Sequence, residues 1–167
     1  HGNSGTMIAA ARVYDGGLPA VSTTASTPDL TGVSPWVFRV ISSDSVNGLD
    51  LARHARAQGF RKAAILYENN AYGRGLAESF ERNFGGLIVA NDPIPSEASS
   101  NVEPFLAWIA QRSPDVVFVA GTEASGLAVL REARRQQVKA AFLGSDGWTG
   151  IVRDTALLRR LIRVAGE

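Results

Sequence analysis

A serine between glycines, in Gly2-Asn3-Ser4-Gly5-Thr6, is the first place in the sequence where a nucleophile could be presented. The second glycine follows the serine directly instead of standing two residues on, so the nucleophile elbow of the α/β hydrolases is not met. Gly73-Arg74-Gly75 opens a helical stretch after a strand-like run, as a dinucleotide loop does. The place of the third glycine is taken by Glu78, and no phosphate-loop lysine signature occurs. His54 stands in an Arg- and Ala-rich helical stretch with no acidic or second histidine partner at metal spacing, the pattern of a surface residue. The chain has no cysteine, which removes thiolate nucleophiles, thiolate metal sites and disulfides together. No local pair of carboxylates marks a general acid and base. The expectation is therefore no catalytic residue, no metal and no cofactor.

The basic clusters Arg131-Glu132-Ala133-Arg134-Arg135 and Arg159-Arg160 fall at helical spacing, where such residues form a solvated face with i,i+3 and i,i+4 pairing. Seventeen Lys plus Arg against sixteen Asp plus Glu leave a net charge of +1, so no global field recruits nucleic acid or an anionic membrane. No apolar run approaches the roughly twenty residues that a membrane helix needs, so direct membrane insertion is not expected. With 167 residues, 45% of them hydrophobic, the chain can bury one sizeable core.

The elements that must position any site come from alternating periodicities. β-branched runs predict strands over residues 19–23, 36–41, 63–67, 87–90, 116–120 and 141–143. Helical periodicity predicts helices over 4–14, 45–58, 71–84, 102–111, 124–136 and 154–164. Gly59 stops the second helix. This succession of βα units with short loops is the pattern of an α/β fold with a doubly wound parallel sheet. The small polar segment Ile41-Ser42-Ser43-Asp44-Ser45 reads either as a crossover between two blocks or as an ordinary helix N-cap. The final helix has no strand after it, which suggests that further strands lie outside this sequence.

Four stretches carry a resemblance, in order along the chain: LPAVSTTASTPDL (18–30), ILYENNAYGRGLA (65–77), DVVFVAG (115–121) and FLGSDG (142–147). Together they resemble the branched-chain amino-acid-binding proteins of ABC transporters. The resemblance implies the type I periplasmic-binding fold, in which two doubly wound lobes are joined by crossovers and hold ligand in the cleft between them. On it, residues 1–41 correspond to the end of the N-terminal lobe, 42–45 to the hinge, and 46–167 to an incomplete C-terminal lobe.

The same resemblance assigns candidate ligand-binding residues. Ser4 falls where the family presents a hydroxyl and an amide to the ligand carboxylate; a helix N-terminus is a natural anion site, though Ser4 also suits the cap of its own helix. Thr24, Ala25 and Ser26 match the family's loop that holds carboxylate and ammonium, and a plain turn into Pro28 is the alternative. Tyr72 matches an aromatic that covers the ligand, with core packing as its alternative. Thr122 stands where the family has another cleft aromatic, a departure that implies a roomier or more polar pocket. Glu123 beside it either takes over a contact or faces the helix dipole.

Asp146 falls at the acid that pairs with the ligand ammonium, or else forms an Asp-Gly turn with Gly147. Trp148 either walls the side-chain pocket or packs over the ammonium, or else is buried structurally. The implied function is a non-enzymatic, periplasmic or extracellular substrate-binding component that takes an amino acid or related carboxylate and docks on a membrane permease. A sensor or regulator domain of the same fold is the first alternative, and a flavodoxin-like enzyme the second.

Overall fold

The computed structural model describes residues 2–97, 101–154 and 156. Along the chain the elements are α1 (Ser4–Tyr14), β1 (Ala20–Ser22), β2 (Val37–Arg39), α2 (Asp44–Ala57), β3 (Lys62–Glu68) and α3 (Ala71–Phe84), then β4 (Leu87–Ile94), α4 (Glu103–Arg112), β5 (Val116–Ala120), α5 (Glu123–Arg135), β6 (Ala141–Gly144) and α6 (Thr149–Arg153). Single 3-10 turns lie at Pro28–Leu30 and Asp146–Trp148. The expected α/β fold with parallel pairing is present. Four strands form one all-parallel sheet in the order β4-β3-β5-β6, and β1 and β2 form a separate parallel pair.

Alternation along β3 and β5 builds two cores from one sheet. Ala64, Leu66, Val117 and Val119 face Leu106 and Ile109 of α4 and Val129 of α5. Ala63, Ile65, Val116 and Phe118 face Ala52 and Ala55 of α2 and Leu76 and Phe80 of α3. The Phe80 ring stacks on Phe118 at 4.5 Å and on Phe84 at 5.3 Å between centroids. Burial on both faces is why β5 reads Val-Val-Phe-Val-Ala without polar alternation.

β4 runs on to Ile94, beyond the expected end at residue 90, with Asn91, Asp92 and Pro93 opposite Ile65, Leu66 and Tyr67. A proline is tolerated there because β4 is the edge of the sheet and has a neighbour on one side only. α3 ends at Gly85, whose φ of +63° closes the helix in the left-handed conformation. The helix expected over 154–164 falls almost wholly outside the described residues. No described helix is long and apolar enough to cross a membrane.

β1 and β2 pair as Ala20↔Val37, Val21↔Phe38 and Ser22↔Arg39. Their inner side meets a small core of Met7, Ala25 and Leu30, while the paired Val21 and Phe38 are 58% and 54% exposed. Among the contacts that join the first unit to the larger one, two are especially close. The Asp44 amide donates to the Ser26 carbonyl at 2.9 Å. Pro28 sits on α3 so closely that a Cβ built on Gly75 would lie 2.7 Å from Pro28 Cδ.

Candidate functional site

In a parallel sheet covered by helices, loops at the carboxyl ends of the strands are the only places where several side chains can converge without disturbing the core. The first such cluster lies between β1 and α2. Asn3 caps α1, its Oδ1 accepting from the Thr6 amide at 2.9 Å, so Ser4 is the first helical residue and not the cap. Ser4 is buried, and its Oγ accepts from the Thr27 amide at 3.3 Å. A hydroxyl that accepts still has its own proton to give. Thr24 is exposed at the loop tip. Ala25 is turned inward, its amide donating to Ser22 Oγ at 3.0 Å and its carbonyl accepting from the same hydroxyl at 3.4 Å.

Ser26 is also buried, and its Oγ donates to Asp44 Oδ2 at 2.9 Å. The Arg39 guanidinium clamps the loop from below, reaching the carbonyls of Ser26 at 3.2 Å and Thr27 at 2.8 Å. Asp44 is fully buried at the first turn of α2, where Ser43 is the cap. The segment at 41–45 starts α2 with Ser43 as its cap, and it lies in sequence between the β1–β2 pair and the four-stranded sheet.

Burial pushes the Asp44 carboxyl up to about 6, against the opposing pull of hydrogen bonds from Ser26 and from Asn47, whose Nδ2 lies 3.3 Å from Oδ1. The negative charge of Asp146 raises it further, and Arg39 lowers it. Asp44 and Asp146 thus lie within electrostatic reach of one another, one carried by the crossover into α2 and the other by the loop after β6.

Asp146 begins the 3-10 turn after β6 and is exposed. Its Oδ1 accepts from the Tyr72 hydroxyl at 2.6 Å. The same hydroxyl lies 3.0 Å from Ser145 Oγ and accepts from the Gly147 amide at 3.2 Å. Burial pushes the Tyr72 hydroxyl well above its ordinary range, reinforced by the bond to Asp146 and by the charges of Asp146 and Asp44. Tyr72 is therefore a neutral donor at any physiological pH. The structure brings Tyr72 and Asp146 together and places Asp44 in the same field.

The other candidates turn their side chains to other partners, although the Thr122 Cα lies 3.2 Å from where a Cβ on Gly147 would be. Thr122 turns its amide and hydroxyl to Glu68 Oε1, at 2.8 and 2.5 Å. Glu123 directs its carboxylate at α6, where Oε2 would be 1.9 Å from a Cβ built on Gly150. Trp148 is in the main core. Its ring occupies the space that a side chain on Gly126 or Gly144 would fill, and its Nε1 has no hydrogen-bond partner among the described residues. It is placed to support the loop that bears Asp146, not to line a surface.

Sequence reasoning missed Asp44 as a site acid, along with Arg39 and Glu68. The available signals were an acid directly after the Ser42-Ser43 pair and a glutamate ending an otherwise apolar strand. Among the described residues no group of three His, Asp or Glu side chains could hold a metal ion.

Known proteins resemble this chain in sequence and in fold. The family profile described as periplasmic binding protein matches residues 2–158. A Leu/Ile/Val-binding protein of Rhizobium johnstonii is 30% identical over 152 residues, covering 86% of this chain and 41% of the relative. An ABC transporter substrate-binding protein from Desulfitobacterium hafniense superposes with a TM-score of 0.75 at 28% identity, over 90% of this chain and 46% of its own. A leucine binding protein from Thermotoga maritima reaches a TM-score of 0.83 at 22% identity, a likeness of fold, over 100% of this chain and 47% of its own. The chain thus spans under half the length of these relatives.

Proposed function

The chain belongs to the periplasmic binding protein family, and on that premise we propose that it is part of an extracytoplasmic receptor that captures an amino acid and delivers it to the membrane permease of an ABC transporter. Residues 1–41 form the end of one lobe, 42–45 the crossover, and 46–167 most of a second lobe. The exposed Val21–Phe38 pair supports this division: parallel strands are stable when both faces are covered, and a bare two-stranded parallel ribbon is not a free-standing unit.

The observation that carries the amino-acid reading is the convergence of Asp44 and Asp146. The negative charge of Asp146 raises the cost of ionising Asp44, so the two carboxylates form a place where a cation is stabilised, and an α-ammonium entering it removes their repulsion. The opposite end of a zwitterion finds the start of α1, where unpaired backbone amides and the Ser4 hydroxyl favour a carboxylate. Ligand held by both units makes contacts that an open form lacks, so binding shifts the population toward the closed form that a permease would read.

The test is calorimetry on the full-length protein with L-leucine and with 4-methylpentanoate, which keeps the side chain and carboxylate but lacks the amino group. Leucine should bind and the acid should not. Equal affinity for the two would remove the role assigned to the paired carboxylates.

A further inference from the structure

We propose that Glu68, which cannot reach a ligand, is the positioning residue that sets the geometry of Tyr72 and Asp146; the proposal rests on the reading of the site given above. Glu68 ends β3, in the middle of the sheet, and is 1% exposed. A carboxylate so buried must be matched by donors. Oε1 accepts from the Thr122 amide, the Thr122 hydroxyl and Ser125 Oγ, and Oε2 accepts from Asn70 Nδ2 at 2.9 Å. Among the described residues no cation takes part; the carboxylate is matched there by dipoles, including the amino end of α5.

These bonds fix two helix starts at once. Thr122 is the N-cap of α5 and makes no side-chain cap of its own. Asn70 is the N-cap of α3, its Oδ1 accepting from the Gly73 amide at 2.9 Å. Because Glu68 can only accept, it compels the Asn70 amide nitrogen to face inward and the oxygen to face Gly73. The start of α3 is thereby seated hard on the sheet, where a Cβ on Gly73 would lie 2.3 Å from the Glu68 carbonyl oxygen. Tyr72 is the residue in between.

The remaining side of the frame closes through Gly121. Its carbonyl accepts from Ser145 Oγ at 3.0 Å, and Ser145 Oγ lies 3.0 Å from the Tyr72 hydroxyl that holds Asp146. A closed circuit of hydrogen bonds, covalent links and one hydroxyl–hydroxyl contact therefore runs from Glu68 through Asn70, Tyr72, Ser145, Gly121 and Thr122 back to Glu68; Tyr72 and Ser145 meet by contact alone, since their protons go to Asp146 and Gly121. It ties together the carboxyl ends of β3, β5 and β6, the three strands whose loops carry the second half of the site.

The experiment compares the full-length wild type with Glu68→Gln and with the double variant Glu68→Gln/Asn70→Asp. Glutamine presents an NH2 group where Asn70 also presents one, so the cap on Gly73 is disturbed. Aspartate at position 70 accepts from that NH2 and caps Gly73 with its other oxygen, restoring the circuit with its polarity reversed.

Two readouts are taken: L-leucine affinity, and hydrogen exchange of the Gly73 and Gly147 amides in ligand-free protein. The single variant should lose about tenfold in affinity, as expected for one charge-assisted bond, and exchange faster at both amides. The double variant should recover both. Unchanged Gly147 exchange in Glu68→Gln, or a loss of affinity that Asn70→Asp does not repair, overturns the proposal. Wild type that fails to bind leucine while the exchange pattern responds as expected overturns the amino-acid reading and upholds the role of Glu68 in the frame.

Discussion

Replacing Asp44 by asparagine should make the ligand-free protein more stable and a poorer receptor. Burial raises the Asp44 carboxyl from the usual 3.8 to about 6. A raised carboxyl favours the folded state fully below the unfolded value, and that contribution is lost as pH rises through the folded value. Above pH 6 the folded protein therefore bears the cost of an ionised buried carboxylate, and the interval from 3.8 to about 6 corresponds to about 3 kcal/mol.

Asparagine keeps an oxygen to accept from Ser26 Oγ and is close in shape, and the half-buried Asn47 amide can turn over to accept from the new NH2, so the change relieves that cost while leaving the crossover intact. It also removes one of the two negative charges that favour an ammonium. Thermal unfolding of full-length wild type and Asp44→Asn is compared at pH 8 and pH 4.5, without ligand, and leucine affinity is measured at pH 8. The variant should melt several degrees higher at pH 8, should lose most of that advantage at pH 4.5 where the wild-type carboxyl is protonated, and should bind leucine more weakly. A variant that melts lower at pH 8, or whose advantage is the same at both pH values, would refute the reasoning.

Three other perturbations have defined outcomes. Phe118→Ala removes the ring stacked on Phe80 in a site with no exposure, and should cost about 3–5 kcal/mol in chemical denaturation. Trp148→Phe should leave stability within about 1.5 kcal/mol, since it shortens the ring but deletes an indole N–H that has no partner among the described residues, whereas Trp148→Ala should destabilise the fold strongly; Trp148→Ala with normal melting but no leucine binding would make Trp148 a pocket wall after all. Asp115 accepts from the Arg61 and Lys62 amides at 2.7 and 2.8 Å, which hold its carboxyl below the usual range. Its contribution is present above the unfolded value and lost as pH falls through the folded one, so Asp115→Asn should lower the melting temperature at pH 7 and make no difference in strong acid.

The elements were legible in the sequence where their causes are local. The period of α3 and the β-branched run of β5 each depend on residues within a few positions, and residues 71–84 and 116–120 are bounded as their patterns require. β4 was read too short because its last residues are polar and include Pro93; only its place at the sheet edge, a property of the whole topology, permits them. The site was less legible for the same reason. Asp44 reads as a helix-start acid until Ser26, eighteen residues away, is seen bonded to it. Trp148 stands two residues from Asp146 in sequence, yet the glycines that admit its ring are at 126 and 144.

Asp44 and Glu68 show how two buried carboxylates in one small chain come to differ in purpose. Both are shielded from water, and both sit where a strand or crossover hands the chain to a helix. Glu68 accepts from four donors, which exhausts what its position can offer and leaves nothing for an incoming group. Asp44 accepts from the side chains of Ser26 and Asn47, lies in the field of Asp146, and is pushed toward protonation in consequence. A carboxylate whose local bonds do not offset its burial gains more from a cation than one already satisfied, because the free energy withheld by incomplete pairing is released on binding. The distinction assigns recognition to the poorly paired acid and architecture to the well-paired one. It also explains why removal of charge should have opposite effects on ligand-free stability at the two positions: a gain at Asp44, and at Glu68 a loss, because three of its four donors would then face a neutral and weaker acceptor and the fourth another donor.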